Sequence, residues 1–284
     1  MTERTGLFMT SHGSVGYAAV GRGPVVVLLH GNPGDARDWD AVLGALAQRH
    51  TVIRVDWPGY GSSPCPHDAG VGAPELARLL DEVLDRIAEM TDHGGQKFVL
   101  VGHSVGGYAA LCQALTRPER VAAMVLVAPG GFTRLTGLTR MFVRMMGSTP
   151  AARWLAGPLA AAYTVRRNPA SRAALRRAQS VRSHPSRLAM HSAVWRSFLD
   201  PAHDLRGRAP AITVPVLLTW GRLDPVVPWW SDGRRAARLL PHASVVQFWS
   251  GHLPHAEVPH QWLAAVVPFL DGIARPANRA YRNG

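Results

Sequence analysis

Six residues constrain this chain more than any others. Gly102-His103-Ser104-Val105-Gly106-Gly107 follow directly on the apolar run Phe98 to Val101 and lead directly into a helix-forming stretch that reaches about Leu115. A buried strand that ends on a serine with glycine two residues to either side must turn very tightly. Only a missing Cβ relieves the crowding, and the hydroxyl is left projecting above the strand end. The helix starting there aims its first N–H groups, that of Val105 among them, at any negative charge forming beside the serine. So short a pattern also arises by chance in a glycine-rich chain. The strand before it and the helix after it give this one its weight.

The rest of the chain repeats the strand–turn–helix rhythm. Val25 to Leu29 is an uninterrupted β-branched and aliphatic run, as a strand buried on both faces requires. His30-Gly31-Asn32-Pro33-Gly34 then forces a turn, and Asp38 to Ala47 puts Trp39, Val42, Leu43 and Leu46 on one helical face. Thr51 to Val55 is the next strand, ended by the breaker-rich Asp56-Trp57-Pro58-Gly59-Tyr60-Gly61. Glu75 to Met90 reads as an amphipathic helix, and Val121 to Val127 as a fourth strand. Between Gly131 and Pro210 the strand rhythm stops and the apolar spacing is helical, with helices expected within 138–146, 151–163, 171–179 and 188–198. Strands resume at Val214 to Trp220 and Ser244 to Trp249, and a helix from Gln261 to Leu270 closes the pattern; the tail after Ala274 is expected to fray. The expected fold class is therefore α/β, a mostly parallel, doubly wound sheet formed by residues 1–130 and 211–284, with 131–210 inserted as a helical lid.

Charge marks the same insertion. The chain carries a net +12, and Gly131 to Pro210 alone holds fourteen arginines against two acids, Asp200 and Asp204; elsewhere the seventeen basic and seventeen acidic residues cancel. Such a basic segment suits an anionic small-molecule substrate, peripheral contact with an anionic membrane surface, or an acidic partner. It equally suits a solvated helix face in a chain whose only lysine is Lys97. No nucleic-acid-binding motif accompanies it, so no nucleic-acid partner is expected. Two cysteines, Cys65 and Cys112, give neither a disulfide framework nor a metal cluster. Met1 to Met9 lack a basic segment followed by an apolar run, and no apolar run reaches about 20 residues, so a cytoplasmic enzyme is expected. Oligomeric state is not encoded in any of these features.

A serine hydroxyl needs a base, and the base an orienting carboxylate. Asp224 follows the strand ending at Trp220, within Gly221-Arg222-Leu223-Asp224-Pro225, whereas Ala128-Pro129-Gly130-Gly131 after the earlier strand holds no acid. His252 follows the last strand; His255 and His260 compete with it, but His252 leaves the strand end first. The order Ser104, Asp224, His252 is that expected for a parallel sheet with the serine on a strand–helix turn. Pro33 has no N–H, so the Asn32 amide pairs with that of Val105 as the expected oxyanion hole. Glu257 is expected to brace the loop holding His252, and Asp56 to be structural. The substrate pocket is expected to draw on His30, His103, Met141, Phe142, Met145, Trp154 and Trp229, although a Met and aromatic stripe at helical spacing is more commonly packing.

These motifs together resemble the α/β-hydrolase superfamily, within its lidded group of carboxylesterases, carbon–carbon bond hydrolases, haloperoxidase-like perhydrolases, epoxide hydrolases and haloalkane dehalogenases. The resemblance spans about Val25 to Leu270. Asn32-Pro33 is similar to the pair in dehalogenases, whose nucleophile is an aspartate; Ser104 stands there in this chain. The resemblance implies a serine hydrolase acting on a small, mainly apolar ester-like substrate through an acyl-enzyme, with no cofactor and no metal. The same scaffold also hosts carbon–carbon hydrolases, lyases, cofactor-free oxygenases and accessory binding proteins, and fold alone does not separate them.

Overall fold

Five consecutive residues show how the layers arise. In Val25–Leu29 every side chain is buried, but Val25, Val27 and Leu29 enter one apolar cluster while Val26 and Leu28 enter another. Alternate residues of a strand point to opposite faces, so a run apolar at every position demands cover on both sides. Fully burying such a side chain contributes roughly 1.5–3 kcal/mol.

The structure, a computed structural model, describes residues 2–66, 71–91 and 95–274; the tail after Ala274 lies outside them. Its first strands are β1 (Arg4–Thr10), β2 (Gly13–Val20) and β3 (Val25–Leu29), followed by α1 (Asp40–Leu46), β4 (Thr51–Asp56) and α2 (Ala73–Thr91). Then come β5 (Phe98–His103), α3 (Val105–Thr116) and β6 (Val121–Val127). Four helices follow: α4 (Gly137–Gly147), α5 (Thr149–Tyr163), α6 (Pro169–Ser180) and α7 (Pro185–Ser197). The chain returns to the sheet with β7 (Val216–Gly221), α8 (Arg234–Leu239) and β8 (Ser244–Phe248), and ends on α9 (Pro254–Glu257) and α10 (Pro259–Ala274). The eight strands lie in the order β1-β2-β4-β3-β5-β6-β7-β8, with β1 and β2 antiparallel and the rest parallel. One face is covered by α2 and α3, whose Leu76, Leu80, Tyr108 and Leu111 share a cluster with β3 and β5. The other is covered by α1 and α10 through Val42, Leu46, Trp262 and Val266.

The α/β class, the mainly parallel sheet and the helical run between β6 and β7 stand as the sequence implies. The hairpin of β1 and β2 does not follow from it: β1 buries only Phe8, so no apolar run marks it. Its signal is the turn glycine, Gly13, at φ +97°. No described helix is long and apolar enough to cross a membrane.

The helices α4 to α7 are joined to the sheet-end loops by polar contacts. On α6, Arg177 reaches Asp38 at 2.6 Å and Asp35 at 3.4 Å, both buried in the turn before α1. Burial pushes the Asp38 carboxyl above its ordinary range against the Arg177 charge. Burial acts in the same sense on Asp35, but the Arg37 hydrogen bond and the Arg177 and Arg37 charges outweigh it and hold that carboxyl low. Glu257, at the end of α9, accepts from the amides of Val165 and Arg166 at 3.0 and 2.7 Å, just after α5, and from Gly251 at 3.0 Å and Leu253 at 3.2 Å beside His252. The bracing expected of Glu257 thus extends to the helical insertion as well. Burial still pushes its carboxyl up, with the four amides opposing.

Candidate active site

Ser104 sits between β5 and α3 at φ 53°, ψ −113°, a conformation that side-chain-bearing residues rarely adopt and that costs of order 1–3 kcal/mol. The surroundings hold it there. Its N–H donates to Val127 O at 2.9 Å, and its carbonyl accepts from Gly130 N at 3.0 Å and Tyr108 N at 3.0 Å. The flanking glycines are required by space: a Cβ on Gly102 would stand 2.5 Å from Gly106 O, and one on Gly106 would stand 2.4 Å from Leu29 O. The turn therefore exists only because three backbones approach where no side chain intrudes.

Asp224 follows β7 and is buried. Its Oδ1 accepts from the amides of Val226 and Val227 at 2.8 and 3.0 Å, which fixes the carboxylate. Its Oδ2 lies 2.6 Å from His252 Nδ1. That contact puts the imidazole hydrogen on Nδ1 and leaves the Nε2 lone pair free to take a proton. The loop carrying His252 is held by its own amide, which donates to Tyr163 O at 2.8 Å, and by Glu257. Ser104, His252, Asn32 and Val105 all line one cavity of about 450 Å³ between the strand ends and the helical insertion. His255 does not line it: that ring stacks on Trp39 at 4.2 Å, and burial pushes its pKa down to about 3. His260 is exposed on α10.

The side chain of Asn32 is clamped. Its Oδ1 accepts from Tyr60 OH at 2.7 Å and faces His191 Nδ1 at 2.9 Å, while its Nδ2 donates to His191 O at 3.3 Å. The peptide Asn32–Pro33 is cis.

Of the seven side chains expected in the substrate pocket, Phe142 lines the cavity and the other six do not. Met141, Met145 and Trp154 are exposed; of the apolar face that spacing marks on α4, Leu138, Met141, Phe142, Met145 and Met146, only Phe142 and Met146 turn inward, beside Val143. Leu138, on that face, is exposed as well. Trp229 packs edge-on against Trp220, 5.8 Å between centroids, and Trp230 is exposed. His30 and His103 are buried behind the site. The His30 ring accepts from Trp57 N and donates to Gly31 O, and His103 Nε2 donates to His252 O at 3.0 Å, so both serve the loops rather than the cavity. The apolar wall is built by Phe142, Val143, Leu159, Val226 and Val227. Two α7 residues that no motif marked, His191 and Trp195, complete it; four-residue spacing of an imidazole and an indole is the only sequence signal they leave. Arg134 and Arg140 line the cavity, are exposed, and form no ion pair with a described residue, whereas Arg206 is bound to Asp204.

A serine on a strained strand–helix turn and a carboxylate-bound imidazole, lining one cavity at the strand ends of this sheet, are the setting of a carboxylesterase-like hydrolase. The profile of the alpha/beta hydrolase fold matches residues 24–259, and the chain belongs to the α/β-hydrolase family. It is similar to the pimeloyl-(acyl-carrier protein) methyl ester esterase of Aeromonas salmonicida, with 30% identity over 273 residues covering 90% of this chain and 99% of the relative. It is also similar, at 33% identity over 264 residues covering 89% and 92%, to a protein of Variovorax paradoxus provisionally assigned as the carbamate hydrolase RutD. Among solved structures, a thermophilic esterase from Thermogutta terrifontis shares the fold at a TM-score of 0.79, with 21% identity over 96% of this chain and 100% of that one.

Proposed function

We propose that this enzyme hydrolyses a small ester by nucleophilic catalysis at Ser104. The observation that carries the reading is the 2.6 Å contact of His252 Nδ1 with a buried, doubly amide-bound Asp224, in a loop that shares one cavity with the strained Ser104. Ser104 Oγ attacks the ester carbonyl while its proton passes to His252 Nε2. Asp224 stabilises the imidazolium so formed, an effect of roughly 10⁴ in comparable sites. The oxyanion is held by the amides of Asn32 and Val105, the latter at the start of α3 where the helix dipole adds to it. Collapse of the tetrahedral intermediate breaks the bond to the alcohol oxygen, which takes the proton back from His252. A water activated by the same imidazole then releases the acid from the acyl-serine. Residues 131–210 act in this scheme as a cap that walls the substrate, and 1–130 with 211–284 as the catalytic core.

The apolar wall suits an alkyl portion of the substrate. Arg134 and Arg140 favour an anionic substituent at the same cavity, and kcat/KM for a hemisuccinate ester is then expected to fall with rising salt while that of its neutral counterpart holds. The main test is covalent. A fluorophosphonate probe should label Ser104 and leave Ser104→Ala unlabelled, and p-nitrophenyl acetate should release a burst of p-nitrophenol equal to the enzyme present. Labelling that persists on another residue of Ser104→Ala overturns the assignment. Turnover with no burst and no labelling points instead to acid–base chemistry without an acyl-enzyme.

A further inference from the structure

Four large apolar side chains of the helical insertion stand in solvent. Leu138, Met141 and Met145 on α4 and Trp154 on α5 are 72%, 53%, 40% and 78% exposed, and none of them lines the cavity. Scattered singly, such residues mean little; gathered on one surface they mark a place of contact. Leu138, Met141 and Met145 are three and four residues apart and so share one side of α4. Val143 and Met146 of α4 and Ala156 of α5 join Trp195 of α7 in one apolar cluster. Both helices therefore cover α7 and turn their other sides outward. Met141 is two residues, about 200° of helical turn, from Val143, and Trp154 is as far from Ala156. Cations flank these side chains. Arg140 and Arg144 on α4 and Arg153 on α5 are exposed. Exposed Arg182 lies against α5, with Nη1 3.1 Å from the space a Cβ on Gly157 would take. Between Gly131 and Leu199 the sequence has twelve arginines and no acid. None of these four arginines pairs with an acid among the described residues, so the charge of this face is uncompensated.

We propose that this outward face of α4 and α5 docks on the surface of an anionic lipid bilayer. An amphipathic helix lying in the interface sets Leu, Met and Trp at the acyl boundary. Its arginines stay at the head-group level, their stems over apolar surface and their guanidinium groups on lipid phosphate. A second copy of the chain is opposed by the like charge it would bring. An acidic protein answers the arginines but needs a groove shaped for four protruding side chains, whereas a fluid head-group layer accepts them without a matching shape. The contact is peripheral, since no described helix is long and apolar enough to cross a membrane. The inner side of α4 lines the cavity with Phe142 and Val143, so a docked molecule holds that cavity about 10 Å, one helix diameter, from the lipid.

Co-sedimentation with vesicles measures the docking directly. The protein should partition at least about tenfold more strongly onto vesicles of mixed phosphatidylglycerol and phosphatidylcholine than onto phosphatidylcholine alone, and less strongly as salt is raised. Arg144 and Arg153 do not line the cavity. Arg144→Gln and Arg153→Gln should each weaken partition about fivefold, the effect of one arginine near such a surface. Leu138→Ser combined with Trp154→Ser removes the most exposed apolar side chain of each helix and should weaken it about tenfold or more. Turnover of p-nitrophenyl acetate in free solution should stay within about twofold in every variant, which reports an intact fold. Equal partition onto the two vesicle types, or full partition by the Leu138→Ser, Trp154→Ser variant, overturns the proposal. Polyglutamate bound as tightly as the anionic vesicles, with no loss on Trp154→Ser, also overturns it and assigns the face to an acidic protein. A dimer in sedimentation velocity that the same double variant dissolves overturns it in favour of a second copy. Vesicle partition repeated on Ser104→Ala should match the parent, so the docking is judged independently of the proposed nucleophile.

Discussion

The sheet and the helical insertion are held together by different mixtures of contacts. In the sheet, β3 and β5 are buried at every position, and the functional loops leave strand ends whose register is fixed by their neighbours. In the insertion, α4 leaves Leu138, Met141 and Met145 exposed, and the attachment combines apolar packing, with Met190 and Val194 of α7 in the main core cluster and Tyr163 of α5 against Leu253 and Ala256, with polar contacts: Arg177 to Asp35 and Asp38, Asn32 to His191, and Glu257 to the amides after α5. The contrast implies a division of labour. On the proposed function, the core sets the chemistry, which is the same for any ester, while the insertion selects which ester arrives and can be altered contact by contact. Each of the following measurements presses on that division.

The largest effect is expected in the core. Asp224→Asn keeps the shape but lets Nδ1 of His252 lose its carboxylate, and kcat should fall about 10⁴-fold for every ester alike. A loss confined to one substrate would break the division outright. The second effect is on stability. His191, His203 and His255 have pKa values lowered by burial to about 3, 4 and 3 from an ordinary 6.5. Below pH 6.5 the unfolded chain takes up protons that the folded chain refuses, so stability falls with pH from there until the folded values are reached. Burial holds His103 well below its ordinary value as well, and with four such groups the slope approaches roughly 5 kcal/mol per pH unit, readable from urea denaturation at pH 6 and pH 5. His203→Phe should remove about a quarter of it. The third is Arg177→Ala, which leaves Asp38 buried without its countercharge and should cost about 3 kcal/mol. Hydrogen exchange should show α6 opening before β5 if the insertion is attached as described. The smallest is Trp154→Ala, which removes an exposed side chain and should keep kcat/KM within about twofold.

The same contrast governs what could be read from the chain alone. The loops of Ser104, Asp224 and His252 were legible because a parallel sheet dictates where its strand ends go, and glycine, proline and aspartate mark turns with definite geometry. The helices of the insertion were legible as helices but their orientation was not. Spacing puts Leu138, Met141, Phe142, Met145 and Met146 on one face, yet Phe142 and Met146 turn inward while the other three are exposed; spacing shows that an apolar face exists and not where its covered edge runs. His191 was silent for a different reason. Its value lies in an imidazole meeting Asn32 across 159 positions, and a single histidine among thirteen carries no mark of that. The edge strand β1 was missed because it buries too little to leave a pattern.

The Glu257 carboxylate bears on how interchangeable such insertions are. It takes amides from residues 165 and 166 with one oxygen, and that same oxygen steadies the segment presenting His252. A chimera that replaces 131–210 with the corresponding stretch of another hydrolase inherits an obligation unrelated to specificity. Two main-chain donors must arrive at that acid, or the transplant disturbs His252, the proposed general base it was meant to leave alone.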